Sequence, residues 1–292
     1  MDLHLVDATY ELFRAFYAPR PPVLGRDGRN LSGVSGLCDQ VLYLLREEGA
    51  THVGCATDRV IESFRNDLFP GYKSSVGMDP ALLGQFSIAE DAIEAMGVVL
   101  WPEVEFEADD AIGAAAARFR DDPEVERIVI CTPDKDMAQC VVDDRVVLRD
   151  RRRQITYDRD GVLAKWGVEP ASIPDWLALV GDSADGFPGL QGWGAKGAAK
   201  VLARWGHIDD IPDDVAEWDV NVRSVRSMAA RLAAEKDRAL LFRTLATLRT
   251  DCSVGDPADW RWSGPNDVFA AMCDRLEAPD LFTRATSLAR KR

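Results

Sequence analysis

Zinc-ligand spacing is missing from this chain of 292 residues. Its six cysteines (Cys38, Cys55, Cys131, Cys140, Cys252, Cys273) include no Cys-x-x-Cys pair, and its three histidines (His4, His52, His207) do not cluster with them. A zinc site and a disulfide framework are therefore not expected, and the cysteines read as small apolar residues of a reducing compartment. No apolar run approaches the ~18 residues of a membrane span. The N-terminus, "MDLHLVDATYELFR", carries acids where a signal peptide has a basic start, so a cytoplasmic protein without membrane attachment is expected. Positive charge is also short: 35 Lys and Arg stand against 49 Asp and Glu, a net charge of −14. That balance argues against a non-specific nucleic-acid binder but does not exclude a local basic patch. Residues 74–97, "SSVGMDPALLGQFSIAEDAIEAMG", contain neither Lys nor Arg.

What the chain does have is 47% hydrophobic residues, enough for a substantial core, in an alternating pattern. "LHLVD", "HVGCATD", "VVLWPEVEFE" and "RIVIC" read as buried strands, separated by segments of helical periodicity such as "GLCDQVLYLLREEG". Strands alternating with helices predict an α/β fold with a mostly parallel sheet flanked by helices. "RVVLRDRRRQITYD" predicts a hairpin with a basic tip, and beyond about residue 161 the pattern is helical. The longest such stretch, "SVRSMAARLAAEKDRALLFRTLATL", contains no Gly or Pro and predicts one continuous helix. The expected organisation is an α/β core over 1–160 and a helical region over 161–292.

In open parallel sheets ligands bind beyond the carboxyl ends of the strands. Here those ends carry Asp7, Asp58, Glu107, Asp109, Asp110, Asp134 and Asp136. Singly, "EADD" reads as a helix start and "DKD" as a loop cap, since carboxylates there accept free amides. Together they pose a different problem, because crowded carboxylates repel unless protons or cations compensate. Oxygen-only ligands suit hard divalent ions such as Mg²⁺ or Mn²⁺. The constellation favours a two-metal phosphoryl-transfer site, in which the ions activate water and stabilise charge at phosphorus.

"GDSADGFPGLQGWGAKGAAK", residues 181–200, holds two more acids, six glycines and two lysines. As a P-loop it fails, since Ala195 precedes Lys196 and Gly197 stands where Ser or Thr should hold the metal. As a dinucleotide fingerprint it fails because the preceding "PDWLALVGD" is helical rather than a strand. "DSADG" is no EF-hand, with Ala184 at a ligand position. What remains is helix, glycine-rich turn, helix. This is either a plain helix hairpin or a phosphate grip made of backbone amides with Lys196 and Lys200.

Six blocks in order, "LVDATYELFRAFYA", "TDRVIESFRNDLFPGYK", "FEADDAIG", "CTPDKDMAQCV", "GDSADGFPGLQGWGAKGAAKVLARWG" and "LATLRTD", resemble the flap endonuclease and 5′ nuclease family over residues 3–251. The resemblance implies a PIN-like nuclease core with a helical arch at about 74–97, and a helix-three-turn-helix at about 175–206. It implies that Asp7, Asp58, Glu107 and Asp109 hold a first ion, that Asp134, Asp136 and Asp185 hold a second, and that Asp110 and Asp182 assist. It also implies that Lys73 and Arg65 act at the scissile phosphate, and that Arg14, Tyr72, Gly192, Gly194, Lys196 and Lys200 contact DNA. A potassium ion on the backbone carbonyls of Leu190 and Trp193 completes the set. The implied protein is a free-standing, monomeric, Mg²⁺- or Mn²⁺-dependent 5′ nuclease of replication and repair. Its substrates would be DNA with 5′ flaps, free 5′ ends or RNA-primed ends.

Two other readings compete: a DNA-structure-binding relative with weak or lost catalysis, and a ribonuclease sharing the α/β carboxylate core. The arch without Lys or Arg departs from the family pattern and predicts a weaker or differently gated grip on single strands. Arg149, Arg151, Arg152 and Arg153 at the hairpin tip either compensate or form a solvated turn. Pro133 in "TPDKD" replaces a small residue common in relatives, and little harm to Asp134 is expected.

Overall fold

Apolar residues fill both faces of β1 (Asp2–Asp7), where Leu3, Leu5 and Val6 are all buried, as in a strand covered on two sides. The structure, a computed structural model, describes residues 1–292. After β1 come α1 (Ala8–Phe16), α2 (Ser32–Glu47), β2 (His52–Asp58), α3 (Phe64–Leu68), α4 (Pro80–Leu83) and α5 (Phe86–Ala95). Next are β3 (Val99–Glu103), α6 (Ala108–Phe119), β4 (Arg127–Cys131) and a hairpin of β5 (Val146–Asp150) and β6 (Ile155–Tyr157). Seven helices complete the chain: α7 (Arg159–Trp166), α8 (Ile173–Val180), α9 (Ala195–Trp205), α10 (Val225–Ala234), α11 (Lys236–Ala246), α12 (Phe269–Arg275) and α13 (Pro279–Ala289).

The chain divides into two compact units that cut across the expected boundary at 160/161. Unit 1 comprises residues 1–61, 75–132 and 250–292, and unit 2 comprises 62–74 and 133–249. In unit 1 the strands run parallel in the order β3-β2-β1-β4. The winding direction reverses at β1, and a reversal of this kind opens a crevice at the carboxyl ends of the two strands flanking it. Asp7 ends β1 at that point. Val6, Val53, Cys55 and Cys131 join a core built with α1, α2, α5, α12 and α13, and α6 packs on β1, β2 and β3.

The stretch expected to form an arch, 74–97, has an exposed first half and a second half that joins the core. Seven of the ten residues of α5 are buried, among them Phe86, Ile88 and Ile93, so 86–95 is a structural helix of unit 1. The exposed part runs through 74–84, including most of α4, with Val76 at its most open point.

In unit 2 α8 packs against both α9 and α11. Phe242 of α11 stacks on Phe187 with ring centroids 5.4 Å apart and meets Phe69 edge-on at 5.6 Å. The single long helix expected over 224–248 is two helices. The chain breaks at Glu235 (φ −125°, ψ 27°), whose carboxylate accepts from Arg231 and Arg238, because α10 packs on 215–217 while α11 packs on α8. The basic hairpin tip binds itself. Arg149 donates to Thr156 Oγ1 and Gln154 Oε1, Arg153 pairs with Asp150, and Arg151 is buried.

Gly54 shows how tightly unit 1 is assembled. A Cβ at this position would lie 2.2 Å from Cη2 of Trp101 on the neighbouring strand. That indole cannot yield, because Nε1 donates to the Val254 carbonyl at 3.1 Å and its ring packs edge-on against Trp260. Gly54→Ala is expected to destabilise the protein by about 1–3 kcal/mol through overpacking, read as a lowered midpoint in urea with an unchanged slope.

Candidate metal and phosphate site

In unit 1 the acids sit where strand ends meet helix starts. Asp7 caps α1, accepting from the Tyr10 amide at 2.8 Å, and its other oxygen accepts from Thr132 Oγ1 at 3.1 Å, just past β4. Asp58 ends β2 and accepts from the Ala108 amide, the first residue of α6, at 2.7 Å. Glu107 and Asp110 form a reciprocal capping box at the same helix start, and Asp109 is half-buried beside them. Asp7, Asp58, Glu107 and Asp110 are thus fixed by amides at the positive ends of helices, which favours their charge. Glu103, at the end of β3 and paired in register with Asp58, joins this group although no sequence motif marked it. Its burial, with Asp110 and Asp58 nearby, raises its pKa above the ordinary carboxylate value.

Unit 2 gathers the second set. One carboxylate oxygen each from Asp136, Asp182 and Asp185 lies within 4.8 Å of the others. Asp182 and Asp185 are placed by a tight hairpin closed by two backbone bonds between Asp182 and Phe187, at 2.8 and 3.0 Å. Gly186 at its tip has φ +87°, and a Cβ there would meet the Gly71 carbonyl oxygen at 2.2 Å. This close approach lets the Lys73 amide donate to the Asp185 carbonyl at 3.0 Å and brings Lys73 Nζ to 3.5 Å from Asp185 Oδ1. Asp134 lies outside the trio, exposed, accepting from the Asp136 amide at 3.0 Å.

Asp136 is only 6% exposed, and its Oδ1 has no hydrogen-bond partner. Burial, reinforced by Asp134 and Asp185 and opposed by Lys135, pushes its pKa well above the ordinary 3.8. An orphaned, buried carboxylate oxygen facing two further carboxylates fits a hard divalent cation and little else. Lys135 was not singled out in the sequence. Its partial burial works against its charge, yet Asp136, Asp182 and Asp134 hold its pKa above the ordinary lysine value, and it ion-pairs with Asp182.

The residues expected to touch DNA separate into two kinds. Lys196 and Lys200 are exposed at the start of α9, beside Gly192 and Gly194. With Arg223 they line a cavity of about 380 Å³, and Arg223 is an addition that came from tertiary placement alone. Leu190 and Trp193 are buried in the turn; the Leu190 carbonyl accepts from the Trp193 amide, and the Trp193 indole donates to Met228. Arg65 is different from expectation. It is 2% exposed, its Nε donates to the Leu245 carbonyl at 2.8 Å, and Nη2 reaches the Thr247 carbonyl at 3.3 Å. It acts as a strut between α3 and the end of α11, because a buried guanidinium must satisfy its donors locally. Tyr72 is likewise buried, and Arg14 is paired with Glu11 on α1.

Residues 2–167 match the model described as the 5′-3′ exonuclease N-terminal resolvase-like domain, and residues 168–268 match the 5′-3′ exonuclease C-terminal SAM fold. The two matches join a resolvase-like domain, here a mostly parallel sheet with helices, to a helical C-terminal part. The chain belongs to the 5′-3′ exonuclease family.

It is 36% identical over 218 residues to DNA polymerase I of Mycobacterium leprae, covering 73% of this chain and 24% of that protein. The chain thus spans about a quarter of the length of that relative. It is 32% identical over 222 residues to the 5′-3′ exonuclease of Bacillus subtilis, covering 73% of this chain and 74% of that protein. Among solved structures, the bacteriophage T5 flap endonuclease, in a pseudo-enzyme-product complex with DNA and metal ions, matches with a TM-score of 0.67 at 17% identity. That match covers 99% of this chain and 100% of that one. The catalytic core of Rad2 in complex with a DNA substrate matches at 0.64 and 15%, covering 98% and 90%. At these identities the two structures show a shared fold. No helix of the chain is long and apolar enough to cross a membrane.

The raised Asp136 gives a signed pH dependence. A folded-state pKa above the unfolded value means that the folded protein binds the extra proton, so metal-free stability falls as pH rises from the unfolded value through the folded one. Thermal melts in chelator from about pH 4 to pH 8 should show a flatter decline for Asp136→Asn, with the variant's advantage growing as pH rises.

Proposed function

We propose that the protein is a divalent-metal-dependent 5′ nuclease that hydrolyses DNA phosphodiesters at 5′ ends and 5′ flaps. The observation that carries this reading is the trio Asp136, Asp182 and Asp185, with its orphaned buried oxygen and with Lys73 3.5 Å from Asp185 Oδ1, in a chain of the 5′-3′ exonuclease family. The trio would hold one Mg²⁺ or Mn²⁺, with Asp134 as an exposed outer partner. Asp7, Asp58, Glu107 and Asp109 of unit 1 would hold another, with Asp110 fixing the helix start. Bound divalent ions supply a lowered pKa for water and charge stabilisation at phosphorus.

The chain's own groups supply the rest. Lys73, held by its amide to the Asp185 carbonyl, presents a compact ammonium to a phosphate whose charge increases during displacement. Lys196, Lys200 and the free amides at the start of α9 grip duplex phosphates, with a potassium ion on the Leu190 and Trp193 carbonyls as the accompanying expectation. Arg65 contributes by holding the α3 segment that leads to Lys73, and Tyr72 does so by packing; neither needs to touch the substrate. Replication and repair intermediates with free 5′ ends, flaps or RNA-primed ends are the DNA structures this assembly would meet.

A 5′-flap duplex labelled at either end, incubated with Mg²⁺, Mn²⁺ or chelator, tests the reading. Metal-dependent product should form with the wild-type chain and vanish with Asp7→Asn and with Asp185→Asn, both still folded. Lys73→Ala should lower turnover by about 10²–10³. Turnover in both carboxylate variants at saturating metal would refute the assignment, and tight flap binding without any wild-type product would favour a structure-binding protein instead. Lys196→Ala and Lys200→Ala should each weaken duplex binding uniformly across sequences and reduce the salt slope by about one, measured by anisotropy over a salt series.

A further inference from the structure

Lys135 has no part in the reading above, yet it stands inside the unit 2 carboxylate group. Its Nζ ion-pairs with Asp182 Oδ2 and lies 3.7 Å from Asp136 Oδ1, the oxygen that lacks a hydrogen bond. About a third of its side chain is exposed (32%), against 9% and 4% for those of Asp136 and Asp182. The hairpin that positions Asp182 does not need this lysine. Its backbone is closed by the two bonds to Phe187, and Asp182 Oδ1 is satisfied by the Ala184 amide at 2.9 Å. The lysine therefore meets the cluster through the two oxygens that the local fold leaves over, and it reaches one of them poorly.

We infer that Lys135 is a tethered counter-cation: its ammonium occupies the ligand oxygens of Asp182 and Asp136 when no metal is bound, and a divalent ion must displace it. The inference rests on the metal reading of this trio. A lysine head is a point charge on a flexible four-carbon stem, so it can neutralise a carboxylate pair and then swing into solvent without disturbing the backbone. Two consequences follow. Metal-free protein is spared the full repulsion of the trio, and apparent metal affinity is lower than the carboxylates alone would give, because binding includes breaking the Lys135–Asp182 pair.

The test uses the full chain, with Asp7→Asn as a background that weakens the unit 1 carboxylates so that unit 2 dominates the signal. Mn²⁺ alone is titrated by calorimetry into this protein and into its Lys135→Met and Lys135→Arg derivatives, and melting temperatures are taken in chelator and in Mn²⁺. Lys135→Met is expected to bind Mn²⁺ roughly tenfold tighter or more, the scale on which one charge a few ångströms away alters a carboxylate's affinity for a cation. It should also melt lower in chelator and gain more on adding Mn²⁺ than its parent, while Lys135→Arg stays near the parent in affinity. Unchanged or weaker Mn²⁺ binding by Lys135→Met would overturn the inference, as would an equal loss of melting temperature with and without Mn²⁺, the mark of a purely structural ion pair. A parent protein that takes up no Mn²⁺ would instead overturn the metal reading itself.

Discussion

Crowded carboxylates resist being sheltered from water, and the architecture of this protein is largely an answer to that resistance. In each of the two sets several acids are held by a backbone amide: Asp7 by Tyr10, Asp58 by Ala108, Asp110 by Glu107, Asp134 by Asp136 and Asp182 by Ala184. Helix starts and tight turns supply donors that would otherwise go unsatisfied, so each arrangement solves two electrostatic problems together. Asp136 stands apart, with one buried oxygen left without a hydrogen bond. The amides tolerate the charges individually; the remainder calls for a cation.

This explains why the sequence was legible in one respect and ambiguous in another. Acids following apolar runs marked the carboxyl ends of the strands, and the parallel α/β sheet and its acidic edge follow from that pattern. Whether "EADD" and "DKD" were caps or ligands could not be separated locally, because the structure makes them caps whichever ligand role they also have. Glu103 escaped notice because it becomes an acid of the site through strand register with Asp58, which no local motif reports.

Tertiary contacts account for the other departures. Arg65, assigned to the phosphate by the family resemblance alone, is buried and donates from Nε to a carbonyl 180 positions further along the chain. The break at Glu235 needs neither Gly nor Pro, since α10 and α11 serve different packing partners. In each case the deciding energy lies between residues far apart in sequence, where periodicity and propensity carry little information.

The Asp182–Phe187 hairpin is continuous with the turn that leads into α9. The carboxylates Asp182 and Asp185 and the lysines Lys196 and Lys200 therefore belong to one short glycine-rich stretch of unit 2, anchored by Leu190 to Leu179 and by Trp193 to Met228. The spacing between these lysines and these acids is consequently a property of local covalent geometry. It works as a ruler written into the backbone, so that the distance from the lysine pair to the acids is decided by the turn itself.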